Sequence, residues 1–234
     1  MKSNNPTAIR ALLVFTNHQD YPTKTRKTGL WLSEATHFME TMDKRKIEMD
    51  FVSPLGGVVP IDPKSLDLKD PTNRRYYEDA AFREKLNTTH KPEEIQAQRY
   101  QIIYFTGGHG TMWDFPNNEK LQAIAQQIYE NDGMVAAVCH GVAGLLNVKL
   151  ADGSYLLDGK RITGFSNWEE RLVGLNDEVP FLLEDELIKR KAQYHKALLP
   201  FVQYIKVDER LVTGQNPNSA RKVGKKVIEE MFDK

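Results

Sequence analysis

The chain has little of three things: it contains one cysteine in 234 residues, no excess of charge of either sign, and no long apolar run. Because a disulfide within one chain needs two cysteines, Cys139 is expected to stay a free thiol, which is typical of a reducing compartment. Basic and acidic residues number 32 each, so the charge excess of a nucleic-acid-binding protein is missing. The apolar run at 9–15 is too short for a membrane span or a signal peptide, and residues 1–6 are polar. We therefore expect a cytoplasmic protein that binds neither nucleic acid nor membranes.

The chain also lacks the spacings that commonly hold metal ions. A zinc site of the usual kind needs His-x-His, His-Glu-x-x-His or paired cysteines. No such spacing occurs among the six histidines, which are His18, His37, His90, His109, His140 and His195. The sequence therefore predicts no metal site.

What the sequence does have is a series of short apolar runs that alternate with amphipathic segments. Such runs are typical of strands buried on both faces of a parallel sheet, and such segments are typical of helices that cover it. The predicted strands are 9–15, 48–52, 100–106, 134–138, 159–164, 204–207 and 210–213. The predicted helices are 29–42, 118–130, 180–192 and 218–232. We expect one α/β domain over 1–234, since 40% hydrophobic content supports one sizeable core and no linker interrupts the chain.

Residues 54–99, here called the excursion, interrupt this alternation with a polar stretch that contains five prolines. Structureless connections rarely exceed about 12–15 residues, so this stretch is too long to be a plain loop. It offers short helical patterns near 76–87 and 92–98. We interpret it as a segment that covers one end of the sheet and walls a pocket. A solvated surface embellishment is an equal alternative.

The predicted strand 134–138 runs straight into Cys139 and His140, and small residues follow where a helix would have to begin. A nucleophile on a sharp strand-to-helix turn is a nucleophile elbow. The positive end of a helix favours thiolate over thiol, so we expect the pKa of Cys139 to lie well below the value of about 8.5 of a free cysteine. The alternative is that Cys139 is a small buried hydrophobe that only packs.

Two further stretches lie close to predicted strand ends. Gly107, Gly108 and His109 follow the third strand, and consecutive glycines let backbone N–H groups approach a ligand, as an oxyanion site requires. Glu34 borders the apolar face of the first helix. A carboxylate there either reaches solvent, or points at the sheet edge, stays protonated and hydrogen-bonds a thiolate.

Glu169 and Glu170 follow Ser166 and Asn167. Acidic residues in this position usually mark a helix start that a serine or asparagine caps. The alternative is that one of them orients His140 as the third member of a triad. Since neighbours on a helix differ in direction by about 100°, only one of the two can face the elbow.

Four motifs occur in a specific order along the chain. They are Thr-Gly-Gly-His-Gly-Thr at 106–111, Val-Cys-His-Gly at 138–141, Gly-Phe-Ser-Asn-x-Glu-Glu at 164–170 and Thr-Gly-Gln-Asn-Pro-x-Ser at 213–219. Together they resemble the ThiJ/PfpI superfamily, and most closely its branch of heat-inducible glyoxalase III enzymes and chaperones. The resemblance covers essentially the whole chain from Ile9. It implies a flavodoxin-like three-layer α/β sandwich with a mostly parallel central sheet and a nucleophile elbow.

The resemblance also implies roles for the candidate residues. The elbow cysteine of the family is the nucleophile and the next histidine is its partner, which points to Cys139 and His140. The family's acidic residue that is hydrogen-bonded to the cysteine matches Glu34. The third triad member falls on Glu170, which leaves Glu169 to solvent or to the helix N-terminus.

The activity that the resemblance implies is that of a glutathione-independent glyoxalase, which converts methylglyoxal and similar 2-oxoaldehydes to 2-hydroxy acids through a cysteine hemithioacetal and needs no cofactor. The family's oxyanion donors match the backbone of Gly108 and His140, with Gly107 and His109 nearby. A homodimer is expected. The alternatives are a deglycase acting on glycated proteins, a holdase chaperone that binds unfolding proteins, and a cysteine amidohydrolase or peptidase.

Overall fold

The computed structural model of the chain describes residues 9–232, so the polar residues 1–6 discussed above lie outside it. Its strands are β1 (Arg10–Val14), β2 (Glu48–Val52), β3 (Ile102–Phe105), β4 (Met134–Val138), β5 (Arg161–Ile162), β6 (Gln193–Tyr194), β7 (Ile205–Asp208) and β8 (Leu211–Gly214). Its helices are α1 (Leu32–Asp43), α2 (Pro71–Glu78), α3 (Ala80–Asn87), α4 (Thr111–Asp114), α5 (Glu119–Glu130), α6 (Asn167–Val173), α7 (Leu183–Lys189) and α8 (Ala220–Phe232). Within the described residues, no helix is both long and apolar enough to span a membrane.

A six-stranded sheet forms the centre, in the order β2-β1-β3-β4-β8-β7. The first five strands are parallel, and β7 closes the edge antiparallel to β8. Every residue of β3 and β4 is buried, which explains why these strands read as uninterrupted apolar runs in the sequence. The prediction of an α/β fold with a mostly parallel sheet is confirmed.

The connections between strands place helices on both faces of this sheet. The chain moves outward in one direction from β1 to β2 and in the other from β3 to β4. Because crossovers between parallel strands are right-handed, α1 and α5 lie on opposite faces. α8 packs beside α1. The reversal between β1 and β3 is a topological switch point, beside which open α/β sheets hold their ligands at the carboxyl ends of the strands.

An aromatic pair sets the position of α1 on the sheet. Phe38 of α1 stacks on Tyr104 of β3 with ring centroids 3.7 Å apart. The Tyr104 hydroxyl donates a hydrogen bond of 2.8 Å to the carbonyl of Glu34. Since Glu34 lies one turn before Phe38, this packing holds the Glu34 side chain at the carboxyl edge of the sheet.

Several predicted elements are shorter in the structure, and three of them show the reason. The strand predicted at 159–164 is the two-residue β5, which pairs with β6 in a separate sheet. The helix predicted at 180–192 is α7, since the chain around Pro180 is irregular and 193–194 joins β6. The helix predicted from 29 begins at Leu32. Residues 29–31 are not part of the helix, because the Leu30 amide donates a hydrogen bond to the carbonyl of Pro60 in the excursion.

The excursion contains α2, α3 and several short turns. It joins the carboxyl end of β2 through a parallel bridge between Val52 and His90, and it joins the entry to α1 through a bridge between Leu30 and Ile61. Some of its apolar side chains, such as Phe82 and Leu86, belong to the main core, whereas Leu55 and Val58 are exposed. The excursion is thus tied to the sheet at two places.

Candidate active site

The turn after β4 has the strained geometry of an elbow. Cys139 has a φ of 56°, in the left-handed region that residues other than glycine rarely adopt. Residues Cys139–Leu145 form a 3-10 segment instead of the expected α-helix. A Cβ on Gly141 would overlap the backbone carbonyls of Phe105 and Thr106, so this turn can pack against the end of β3 only with glycine there.

Three buried groups form a chain of contacts that starts at the thiol. The Cys139 Sγ lies 3.3 Å from Nδ1 of His140. Nε2 of His140 lies 2.7 Å from Oε2 of Glu170. Because a carboxylate only accepts hydrogen bonds, His140 carries its proton on Nε2 and leaves Nδ1 free to accept the thiol proton.

His109 joins this chain as a second donor to Glu170. Its Nε2 lies 2.9 Å from Oε1 of Glu170, and its ring lies 4.0 Å from that of His140. Burial, together with the neighbouring His140, lowers the pKa of His109 to about 4, so His109 is neutral at neutral pH. Sequence reasoning assigned His109 only to the surroundings of an oxyanion, because contact with Glu170 spans 61 positions along the chain.

The carboxyl of Glu170 is held in its ionised form. Burial by itself would raise its pKa, but the charge of His140 and the hydrogen bonds from His109 and His140 outweigh burial and hold the pKa below its usual range. Glu170 is therefore an anion that faces two histidines. This arrangement can stabilise an imidazolium on His140 during a reaction.

Glu34 also lies beside the thiol, and it has the reverse electrostatic character. It is fully buried, and within residues 9–232 neither of its carboxyl oxygens forms a hydrogen bond of normal distance and angle. Burial raises its pKa to about 8, against weaker lowering effects from Cys139 and the Gly107 backbone. At neutral pH Glu34 is a carboxylic acid beside the thiol. A Cβ on Gly107 would overlap Glu34 Oε2, so glycine permits this approach.

The expectation of an acidic thiol is wrong for the free protein. Burial, followed by the charge of Glu34, raises the pKa of Cys139, and the lowering hydrogen bond from the His140 amide does not compensate. The sequence argument depended on a helix starting at the elbow, whereas the structure has a 3-10 segment and a thiol that is only 3% exposed. Cys139 therefore needs a base to remove its proton as it reacts.

The glycine loop after β3 supplies the neighbouring wall. Gly108 has a φ of 106°, and a Cβ there would overlap the carbonyl of Gly29, so only glycine fits. Among the described residues, no acceptor takes a hydrogen bond from the Gly108 amide. That N–H group remains available to a ligand.

The thiol opens into a cavity of about 370 Å³ at the carboxyl edge of the sheet. Gly108, His109, Cys139 and His140 line one part of it. Aromatic side chains and polar side chains of α1 and the excursion complete its lining. A larger groove beside α5 contains none of the candidate residues. The cavity at Cys139 is therefore the candidate active site.

The same residues form a potential set of metal ligands. One ligand atom from each of His109, His140 and Glu170 lies within 4.8 Å of the others. In the structure these atoms are joined by the two hydrogen bonds described above, which is the arrangement of a proton-transfer site. The sequence-based expectation of no metal site stays a prediction.

Glu169 lies at the helix N-terminus, which is one of the two places that the sequence analysis left open for it. It is completely buried instead of facing solvent, and it forms a capping box with Ser166 at the start of α6. Its carboxylate also accepts hydrogen bonds from the Phe201 amide at 2.8 Å and from the side chains of Gln215 and Asn216, each at 2.9 Å. The Ser-x-x-Glu spacing could have shown the capping box, but the distant donors could not be read from it.

Comparison with known proteins supports a relationship over nearly the whole chain. Residues 33–230 match the DJ-1/PfpI family. Glutathione-independent glyoxalase HSP31 of Saccharomyces cerevisiae is 36% identical, over 95% of this chain and 98% of that protein. Glyoxalase 3 of Candida albicans is 31% identical, over 94% and 97%. Among solved structures, Rapid Encystment Protein 24 kDa of Francisella tularensis has a TM-score of 0.92 at 40% identity, over 96% and 99% of the two chains.

Proposed function

The chain belongs to the DJ-1/PfpI family, and on that premise we propose that it is a glutathione-independent glyoxalase with Cys139 as its nucleophile. The observation that carries the proposal is the contact chain from Cys139 through His140 to Glu170, which opens into a cavity and has a protonated acid beside its thiol. Relatives at 36% and 31% identity bear the name glyoxalase. The substrates are methylglyoxal and similar small 2-oxoaldehydes, and the products are 2-hydroxy acids.

The first step is addition of the thiol to the aldehyde. His140 Nδ1 removes the thiol proton as Sγ bonds to the aldehyde carbon, C1, and Glu170 stabilises the resulting imidazolium. The aldehyde oxygen becomes an oxyanion that can accept hydrogen bonds from the backbone N–H groups of Gly108 and His140. A base with this geometry explains how a thiol of raised pKa reacts at neutral pH.

The second step moves hydrogen within the substrate. The imidazolium protonates the oxyanion. A base then removes the hydrogen on C1 as a proton while the oxygen on the ketone carbon, C2, gains a proton, which gives an enediol. The enediol becomes the thioester when C2 takes up a proton and the C1 hydroxyl loses one. His140 and Glu34, both beside the sulfur, are the groups that can transfer these protons. C1 is oxidised to a thioester while C2 is reduced to an alcohol, so no external oxidant or cofactor is needed. Water then hydrolyses the thioester and restores the thiol.

The test is incubation of the purified protein with methylglyoxal in the absence of glutathione, with lactate measured as product. The wild-type protein should form one lactate for each methylglyoxal consumed. Cys139→Ala should form none, while its unfolding midpoint in urea stays close to wild type, because a small apolar residue fits the tight turn. If the wild type forms no lactate, or the variant retains more than a few per cent of the turnover, the proposal is wrong.

A holdase activity is a second candidate, favoured by a specific surface feature. Leu198 and Leu199 are 94% and 62% exposed, and Val202 beside them is 47% exposed. Exposed apolar side chains this close together can bind apolar segments of unfolding proteins. Suppression of client aggregation should then persist in Cys139→Ala and be lost when Leu198 and Leu199 are replaced by serine.

Two alternative enzyme activities, the oligomeric state and the location of the protein have tests of their own. A deglycase would use the same thiol addition on glycated proteins, and release of free lysine residues from such proteins would identify it. An amidohydrolase or peptidase would release ammonia from glutamine or cleave a small peptide. A homodimer is expected from the family resemblance, and sedimentation velocity tests it. A location in the cytoplasm is expected from the single cysteine and the short apolar run at 9–15.

A further inference from the structure

Part of the lining of the cavity consists of polar side chains of α1 and the excursion, here called the distal wall. Its members are Ser33, His37, Lys64, Asp67, Asp70 and Asn73. The first two lie on α1, and the other four lie in the excursion. The reaction proposed above uses none of these residues, although they share one cavity with Cys139.

Part of the distal wall is held firmly by contacts among its own members. Asp70 caps the start of α2, and its Oδ2 lies 3.0 Å from Nε2 of His37. Asn73 accepts a hydrogen bond of 2.6 Å from Thr36 and donates one of 3.1 Å to the carbonyl of Asp67. These contacts join the excursion to α1, so the wall is in place before a ligand arrives.

Other members of the wall have hydrogen-bonding groups with no protein partner. Within residues 9–232, the Ser33 hydroxyl and the Lys64 ammonium take part in no hydrogen bond or ion pair. Asp67 accepts one bond, from the Lys69 amide to Oδ1, which leaves its Oδ2 unused. The wall therefore offers a ligand both donors and acceptors.

The cavity is larger than the substrate of the proposed function requires. Its volume is about 370 Å³, which is in the range of sites that enclose ligands much larger than methylglyoxal. A water molecule takes roughly 30 Å³ of liquid volume. The five non-hydrogen atoms of methylglyoxal therefore fill less than half of the space, and the cavity that remains is lined in part by the distal wall.

The charges of the distal wall decide which kind of tail fits. Lys64 is opposed by the carboxylates of Asp67 and Asp70, so the wall has no positive excess that would select a phosphate or carboxylate. Burial lowers the pKa of His37, which leaves this side chain neutral at neutral pH. Hydroxyl groups both donate and accept, and they match a surface that mixes donors with acceptors.

We propose that the distal wall binds the hydroxylated tail of longer 2-oxoaldehydes, with five or six carbons, while their aldehyde carbon reaches Cys139. This inference rests on the proposed function and specifies its substrate class. The chemistry is unchanged: Sγ bonds to C1, the C1 hydrogen moves to C2, and water cleaves the thioester. The carbons of the tail keep their hydroxyl groups throughout.

The experiment compares 3-deoxyglucosone, a six-carbon 2-oxoaldehyde with a hydroxylated tail, with methylglyoxal. In Lys64→Ala and in Ser33→Ala, the ratio of kcat/KM for 3-deoxyglucosone to kcat/KM for methylglyoxal should fall about tenfold, as loss of a hydrogen bond to the tail predicts. The change should lie mainly in KM. The matched control is Lys69→Ala, which removes an exposed lysine of the excursion outside the cavity and should leave the ratio unchanged.

A binding measurement separates this inference from the proposed function. Calorimetric titration of 3-deoxyglucosone into Cys139→Ala should show binding that becomes about tenfold weaker when Lys64→Ala is added. If the wild type converts methylglyoxal but the variants leave the ratio of the two kcat/KM values unchanged, the distal wall does not bind the tail, and the glyoxalase proposal stands. If neither substrate is converted but the Lys64-dependent binding is seen, the glyoxalase proposal fails and the wall is supported. Absence of that binding overturns the inference.

Discussion

Replacing Glu34 with glutamine should change how the stability of the protein depends on pH. Below about pH 4.5, its ordinary pKa, the carboxyl is protonated in both the folded and the unfolded chain. As the pH rises from there to about 8, the unfolded chain loses this proton while the folded protein keeps it. Unfolding then releases a proton, so stability present at low pH is lost as the pH rises.

The structure sets the size of this effect. Each pH unit in that interval changes the free energy of unfolding by about 1.4 kcal/mol. The loss therefore amounts to about 3 kcal/mol at pH 7 and reaches about 5 kcal/mol near pH 8. Glutamine has a similar shape but cannot ionise, so Glu34→Gln should gain these amounts relative to wild type on going from pH 4.5 upward.

Urea unfolding at pH 4.5, 6, 7 and 8 and constant ionic strength measures the difference directly. Both proteins should carry Cys139→Ala, so that ionisation of the thiol does not contribute. All other titrating groups are shared and cancel in the comparison. If the difference between the two proteins stays constant within about 1 kcal/mol over this range, Glu34 is ionised in the folded protein at neutral pH and our account of the site is wrong.

The remaining predictions concern Glu170, Glu169 and the thiol. Glu170→Gln should lower kcat for methylglyoxal by one to four powers of ten, because His140 loses its anionic partner; a change of less than threefold would show that another group orients His140. Glu169→Gln should lower the free energy of unfolding by about 3 kcal/mol, measured in urea, since an amide would face donors in a buried site; unchanged stability would contradict this. Alkylation of Cys139 by iodoacetamide should have a pH midpoint above the ordinary value of about 9, and a midpoint below 7 would contradict the raised pKa.

The fold and the motif positions could be predicted because their signals are local. The apolar runs of β3 and β4 lie within a few residues, and Cys139 and Gly107 follow strand ends directly. The order of the four motifs was enough to indicate the family, which the comparisons confirm. Short elements such as β5 and α7 were overextended, since their bounds depend on pairing with distant segments.

The sequence could not show the properties that a side chain acquires when distant parts of the chain bury it. The raised pKa of Cys139 results from burial by elements spread over more than a hundred residues, whereas the sequence argument considered only the local turn. The groups that donate hydrogen bonds to the buried Glu169 carboxylate belong to residues 201, 215 and 216. The partnership of His109 with Glu170 likewise spans two motifs.

The position of the excursion gives the chain a modular organisation. Every side chain placed at the sulfur lies outside residues 54–99, on α1, the loops after β3 and β4, or α6. The excursion leaves from β2, an edge strand, and returns to β3 in the middle of the sheet. Provided that its core side chains such as Phe82 and its bridges to Val52 and Leu30 are kept, its sequence can therefore change without altering a hydrogen bond of the triad. Grafting a foreign excursion onto this scaffold is thus a route to new substrate preferences with an unchanged catalytic apparatus.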